Sequence, residues 1–77
     1  MDEIEAKKEQ MLKHLGEKTN WDTQKYENIH LIGAQLEWAS AETNALAREL
    51  ASEGLLNLQQ GGLASLTPAG RTRARRA

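Results

Sequence analysis

Apolar side chains recur at intervals of three and four residues in two stretches of the first half of the chain. Within residues 2–18, one side of a helix would hold Ile4, Lys8, Met11, Leu12 and Leu15. Within residues 29–37, the corresponding side would hold Ile29, Ile32, Gly33 and Leu36. This spacing predicts two helices, the first capped by Asp2 and the second by Asn28. Because Gly33 has no side chain, we expect another helix to approach closely there.

A third helix is predicted from Ser40 to about Glu53. At about 100° per residue, its core side collects Ala39, Thr43, Leu46, Ala47 and Leu50. The opposite side is small and polar and is formed by Ala41, Ala45, Arg48 and Ser52, flanked by Asn44 and Glu49. Ser40 is suited to cap this helix, and Gly54 can adopt the left-handed conformation that ends it.

After Gly54 the pattern changes from helical spacing to alternation. Residues 56–58 and 64–66 alternate apolar and polar positions, and Gln60-Gly61-Gly62 lies between them as a hairpin turn. A short strand around residues 25–27 would complete a three-stranded sheet. Thr67 is then predicted to cap a final helical segment that begins at Pro68. Arg71 and Arg75 would share one face of this segment, and Arg73 and Arg76 would share another.

The predicted core consists of the apolar residues on the inner sides of these elements. They are Met11, Leu12, Leu15, Ile29, Ile32, Leu36, Trp38, Leu46, Leu50, Leu55, Leu56, Leu58 and Leu66. Trp21 and Tyr26 are predicted to cap this core, because aromatic rings are usually buried. Stacking on nucleobases is the alternative for these two rings.

Several of these residues together resemble the winged helix-turn-helix family. Leu36, Trp38, Ser40, Leu50 and Gly54-Leu55-Leu56 are similar to its L-x-I-S, helix, L-x-x-x-G-L-[VI] pattern. Leu66-Thr67-Pro68-Ala69-Gly70-Arg71 is similar to the L-T-P-x-G-R that ends the wing in many members. The resemblance covers roughly residues 9–75. The chain departs from the family pattern at two positions. Glu37 occupies a position where glycine is usual. Leu31 occupies a position where an acidic residue is common, so its apolar side chain would be exposed.

The resemblance implies an α+β fold with a three-helix core and a short β-hairpin wing. Residues 1–77 would form a single domain in four parts. These are the first helix at 1–18, the helix-turn-helix at 28–53, the wing at 55–67 and a basic C-terminal helical segment at 68–77. It also implies a DNA-binding module of the transcriptional-regulator type, with the third helix in the major groove.

Composition limits the alternatives. A chain of 77 residues has room for one core and at most one ligand-sized groove, and it contains no cysteine for a disulfide or a thiolate zinc site. No apolar run approaches the roughly 20 residues of a membrane span, and the acidic, polar N-terminus is unlike a signal peptide. We therefore predict a cytoplasmic protein stabilised by helix packing.

The chain carries little that suggests catalysis. His14 and His30 are far apart and belong to no H-x-x-x-H or H-E-x-x-H pattern. Gly61-Gly62 joins two strands and is not followed by the residues of a phosphate-binding loop. We predict that the protein is not an enzyme and that it uses no cofactor and no metal.

Candidate DNA-binding residues follow from the third helix and from the charge distribution. Residues 1–53 carry a net charge of −5, whereas residues 54–77 carry four arginines and no acidic residue. Asn44 and Arg48 can make bidentate contacts with adenine and guanine respectively. The predicted contacts with the DNA backbone are made by Ser40, Lys25, Arg71, Arg73, Arg75 and Arg76.

Three glutamates on the third helix and an uncharged wing tip argue against strong DNA binding. Glu42, Glu49 and Glu53 border the side that would enter the groove. With about four to six usable cations, a monomer would bind weakly, so a homodimer or a larger protein partner is expected. The alternative function is a protein–protein interaction winged helix without DNA binding, which docks through Ala41 and Ala45 or through the apolar side of the first helix.

Overall fold

The computed structural model describes residues 3–76, which form four helices and a three-stranded antiparallel sheet. The helices are α1 (Glu3–Lys18), α2 (Ile29–Gln35), α3 (Ser40–Ser52) and α4 (Pro68–Arg76). The strands are β1 (Glu27–Asn28), β2 (Leu56–Leu58) and β3 (Leu63–Leu66). The predicted α+β class is therefore confirmed. The predicted cap at Asp2 and the outermost ends of the chain lie outside the described residues.

Several predicted boundaries differ from the structure. The first strand is β1 at residues 27–28 rather than 25–27, and Lys25 lies in the turn before it, where its amide donates to the Asp22 carbonyl at 3.3 Å. The helix α2 ends at Gln35, two residues before the predicted end. The final segment is a helix of nine residues, Pro68–Arg76, within the helical segment predicted at 68–77.

The cap of α3 was predicted wrongly. Ser40 is the first helical residue, and the cap is Ala39, which has no side chain able to accept a hydrogen bond. The Ser40 hydroxyl lies instead 3.4 Å from Nδ1 of His30 in α2. The cap of α2 was predicted correctly, since the Asn28 side chain accepts from the amide of His30 at 2.9 Å.

Two consecutive helices end with a left-handed residue. At the end of α3, Gly54 has a φ of 78°, and the amides of Gly54 and Leu55 donate to the carbonyls of Ala51 and Leu50. This is the Schellman arrangement, which satisfies carbonyls left free at a helix end. Leu55 is thereby directed into the core next to Leu50. Glycine adopts this conformation without steric cost.

At the end of α2 the equivalent residue is Glu37, with a φ of 60°. Its amide donates to Ala34, and that of Trp38 donates to Gly33, so the hydrogen bonding matches the end of α3. A residue with a Cβ atom costs roughly 1–2 kcal/mol in this conformation. The resemblance therefore indicated the correct position for a glycine-like backbone, although this chain has glutamate there.

We expect Glu37→Gly to raise the free energy of unfolding by about 0.5–1 kcal/mol. The relief of left-handed strain exceeds the extra chain entropy that glycine adds to the unfolded state. Gly54→Ala is the matched control of opposite sign. A methyl group at Gly54 meets no atom within 4 Å, so its expected loss of about 1 kcal/mol would come from the backbone alone. Urea unfolding of both variants measures these two changes in the free energy of unfolding. If both changes had the same sign, left-handed strain at Glu37 would not explain them.

The core lies between α1, α2, α3 and the inner side of the sheet. Ten of the predicted core residues are buried, and Leu36, Trp38 and Leu58 are partly buried against them. Ala47, Ala64 and Ala74 complete the cluster. Trp21 packs against it as predicted, whereas Tyr26 is 42% exposed and does not cap the core. Leu31 is 55% exposed, as its position in the pattern suggested.

Gly33 allows α2 and α3 to pack closely. A Cβ atom at this position would overlap the Thr43 side chain of α3, with its Cγ2 at 3.0 Å. Thr43 is itself buried and donates its hydroxyl hydrogen bond to the Ala39 carbonyl at 3.1 Å. The close approach predicted from Gly33 is thus confirmed, and it fixes the orientation of α3 on α2.

The sheet has the strand order β1-β3-β2. Leu56 pairs with Leu66 and Leu58 with Ala64 across β2 and β3, which places these residues on the inner side. Ser65 lies on the other side yet is fully buried, and its hydroxyl accepts from the Asn57 side chain at 3.5 Å. A single 3₁₀ turn, Gln60–Gly62, joins the two strands of the β2–β3 hairpin.

The helix α4 is held by its first turn and by a close contact with the chain after α3. The Thr67 hydroxyl accepts from the amide of Gly70 at 3.0 Å and donates to the Gly54 carbonyl at 2.7 Å. The predicted cap at Thr67 is therefore confirmed. Gly70 packs directly on the Leu55 backbone, and the helix then crosses α1.

Candidate nucleic-acid interface

The side of α3 turned away from the core is exposed to solvent. It consists of Ala41, Ala45, Arg48 and Ser52, hereafter the outer face of α3. The core side buries Thr43, Leu46, Ala47 and Leu50, as the helical spacing predicted. Three of the four outer residues are small, so a partner surface can approach the helix backbone closely along this face.

Arg48 is the charged residue of the outer face, and Asn44 lies one turn before it. Arg48 is exposed, and within residues 3–76 it makes no ion pair. Asn44 is half-buried at the border of the face. Residues four apart on a helix lie on the same side. The two side chains predicted to contact bases are therefore neighbours, and the arginine is free to take a ligand.

Glu42 and Glu49 of α3, and Glu53 directly after it, are paired with lysines of α1. Glu42 Oε2 lies 2.6 Å from Nζ of Lys7, and Glu53 Oε2 lies 2.5 Å from Nζ of Lys8. Glu49 Oε1 lies 3.5 Å from the same Lys8 nitrogen. All three carboxylates are thus directed at α1. Helical spacing predicted that these glutamates border the outer face. It gave no indication that two lysines of α1 bind them.

Lys8 is the most enclosed charge of the described chain, with 5% of its side chain exposed. A third carboxylate, Glu5, lies 3.5 Å from its nitrogen. The hydrogen bond to Glu53 raises the pKa of Lys8 well above its ordinary value. Attraction by Glu49 and Glu5 raises it further, and burial opposes the shift. Lys8 therefore stays charged at every physiological pH and continues to attract the carboxylates of α3.

Lys7 has a similar role nearer the start of α3. Its hydrogen bond to Glu42 raises the pKa of the ammonium group against an opposing effect of burial. The same nitrogen lies 5.8 Å from the centre of the Trp38 ring, in the turn between α2 and α3. A cation over an aromatic face is attracted by the ring. Lys7 thus connects α1 both to the turn and to the first turn of α3.

The arginines of α4 are not equivalent. Arg73 is half-buried and donates to Glu5 Oε2 at 3.1 Å, so it is already paired within the protein. The Arg75 guanidinium lies 5.8 Å from the centre of the Trp21 ring and is exposed to solvent. Arg71 and Arg76 are exposed. Three of the four arginines can therefore meet an anion without breaking an ion pair.

The other two predicted backbone contacts lie at the surface. Ser40 is exposed at the start of α3, close to His30 of α2. His30 also touches the hairpin turn, since a Cβ atom on Gly62 would lie 3.0 Å from its Cδ2. Lys25 is exposed, two residues before β1. The starts of α2 and α3 and the hairpin turn thus meet at one place.

Neither a metal-binding cluster nor a helix suited to a membrane is found among residues 3–76. Among residues 3–76, no group of three or more histidine, cysteine or acidic side chains is arranged to hold a metal ion. None of the helices in that range is long and apolar enough to cross a membrane. Comparison of the chain with protein-family models, with curated proteins and with solved structures finds no match. Function must therefore be inferred from the residues of the chain itself.

Proposed function

We propose that this α+β domain is a winged helix-turn-helix DNA-binding module of the transcriptional-regulator type. Its support is the element order α1-β1-α2-α3-β2-β3-α4, the tight packing of α3 on Gly33 of α2, and the hairpin that follows α3. The sequence motifs around Leu36, Gly54 and Leu66 agree with that assignment. In such a domain α3 lies in the major groove and the β2–β3 hairpin is the wing.

The observation that carries the proposal is the outer face of α3. It is exposed and formed mainly of small residues, its one charge is the unpaired Arg48, and the three glutamates of the helix are bound by α1. A negatively charged groove would reject a helix with free carboxylates on the entering side. Here ion pairs with Lys7 and Lys8 reduce the repulsion that the glutamates would otherwise cause.

Each candidate residue has a defined role in this proposal. Arg48 donates two hydrogen bonds to O6 and N7 of a guanine, and Asn44 pairs with the edge of an adenine. The exposed arginines of α4, Lys25 and the Ser40 hydroxyl contact phosphates and set the orientation of the domain. Arg73 contributes less than the sequence suggested, because Glu5 already accepts its hydrogen bond. No cofactor and no catalytic step are required.

The proposal predicts a defined salt dependence of binding to a random DNA duplex. Five exposed cations without an ion pair are among the residues proposed to contact the duplex, namely Lys25, Arg48, Arg71, Arg75 and Arg76. Release of about 0.9 counterion per phosphate contact then gives a slope of log K against log salt between about −2 and −4.5. Fluorescence anisotropy of a labelled duplex at several salt concentrations measures it. A slope near zero, or no binding at low salt, would contradict the proposal.

A second candidate function is protein binding without DNA, and one observation favours it. Residues 54–70, which include the whole β2–β3 hairpin, contain no charged residue. Tyr26 and Leu63 are both more than 40% exposed on this sheet, and Gln59 donates to the Tyr26 hydroxyl at 3.2 Å. A wing that contacts phosphates would be expected to carry cations. If the partner docks on this sheet or on α1, and not on the outer face of α3, charge reversal at Arg48 leaves partner binding unchanged.

A further inference from the structure

We propose that Lys7 and Lys8 of α1 are positioning residues for the DNA-binding face of α3, although neither contacts DNA. They hold the carboxylates of Glu42, Glu49 and Glu53 toward α1 and offset two of their three negative charges, so that less repulsion opposes Arg48 on the outer face. This inference rests on the proposed function. It adds that the affinity of α3 for DNA is set by a different helix.

The geometry gives each glutamate of α3 a lysine partner. Glu42 is bound by Lys7 at 2.6 Å, and Glu53 and Glu49 share Lys8 at 2.5 and 3.5 Å. Glu42 lies in the first turn of α3, Glu49 lies near its last turn and Glu53 is its C-terminal cap, so the pairing involves both ends of the helix. Glu49 is the most exposed of the three and directly borders the outer face. Without α1, each carboxylate would be free to turn toward the groove.

The physical cost of a free carboxylate there is repulsion from the phosphates. A glutamate on α3 would lie within one Debye length of the DNA backbone, which is about 10 Å at 0.1 M salt. At that separation two like charges in water still repel measurably, whereas a closed ion pair presents almost no net charge. Lys7 therefore makes Glu42 part of a nearly neutral pair, and Lys8 reduces the combined charge of Glu49 and Glu53 from −2 to −1.

Lys7 offers the cleaner test of the two lysines. Lys8 is buried among three carboxylates, so its removal would leave charges without a partner and disturb folding. The Lys7 and Glu42 side chains are 30% and 40% exposed, so either can be replaced with little effect on stability. Lys7→Met keeps most of the aliphatic stem, and Glu42→Gln keeps the size of the carboxylate.

The experiment is a double-substitution cycle with binding to a short random DNA duplex at low salt. Lys7→Met leaves Glu42 unpaired and should weaken binding about threefold to fivefold. Glu42→Gln should not weaken it. The double variant should return to within about twofold of the unsubstituted protein, because the repulsive carboxylate is gone. Lys13→Met is the matched control, since Lys13 is an exposed lysine of the same helix, and its effect should stay below about twofold.

The outcomes separate the possible failures. Lys7→Met could weaken DNA binding equally in the unsubstituted protein and in the Glu42→Gln variant. That result would show that Lys7 acts independently of Glu42, by contacting DNA or by supporting the fold, and it would overturn the inference. So would a loss that persists above about 0.5 M salt, where charge effects are screened. If the unsubstituted protein binds and no variant differs, the inference alone fails. If the unsubstituted protein does not bind, the proposed function fails with it. Circular dichroism of each variant verifies that the fold is kept.

Discussion

Replacement of Arg48 by glutamate is expected to weaken binding to a DNA duplex roughly 100-fold at low salt. The loss of a bidentate contact with guanine accounts for about 1–3 kcal/mol. The new carboxylate adds repulsion, because it stands on the outer face of α3, where no lysine is placed to bind it. The slope of log K against log salt should become shallower by about one. Fluorescence anisotropy with the same duplex measures both quantities.

Lys13→Glu is the matched control for this substitution. It makes the same change in net charge at an exposed position of α1, on a different part of the surface. A general effect of protein charge would weaken binding similarly in both variants. If Arg48 contacts a base in the groove, the Arg48 variant loses at least about ten times more affinity than the Lys13 variant. Equal losses would remove Arg48 from the interface and favour the protein-binding alternative.

Gly70→Ala is expected to lower the free energy of unfolding by about 3 kcal/mol. The added methyl group would overlap the Leu55 carbonyl oxygen and come within 2.9 Å of the carbonyl carbon. Backbone atoms cannot rotate away as the end of a side chain can, so α4 would have to move off the core. A domain of this size has a total stability of roughly 4–12 kcal/mol. The substitution therefore removes a large part of it.

Urea unfolding of Gly70→Ala against Thr72→Ala tests this expectation. Thr72 is exposed in the same helix, and its hydroxyl donates only to the Pro68 carbonyl. We expect its replacement to change stability by about 0.5 kcal/mol or less. If Gly70→Ala were as mild as Thr72→Ala, the close packing of α4 on the chain after α3 would not be a determinant of the fold.

The sequence predicted the elements of this structure well where periodicity and glycine positions were informative. The core side of α3, the ends of α1 and α3 and the cap at Thr67 all agree with the structure. Element boundaries were predicted poorly where they depend on contacts with residues distant in the sequence. The cap of α3 and the position of the first strand were wrong, because Ser40 is drawn toward His30 and β1 is defined only by its pairing with β3.

The same distinction between local and long-range features applies to the candidate site. Helical spacing was sufficient to place Arg48 on an exposed face, since that depends on one helix alone. The ion-pair partners of the glutamates could not be predicted from the sequence, because partners such as Lys7 and Glu42 are 35 residues apart in the chain. No local pattern marks such a pair. The pairing of Arg73 with Glu5 and the position of Arg75 over Trp21 were missed for the same reason.

The most direct test of the central claim is an amide-resolved NMR titration of the labelled protein with a short random DNA duplex at low and at higher salt. We predict salt-sensitive shifts concentrated at residues 40–48 and 71–76, the start of α3 and the exposed part of α4. The amides around Lys13 should change little. An absence of shifts at either salt with duplex well above roughly 100 μM, where ordinary non-specific binding is visible, would contradict DNA binding by this domain.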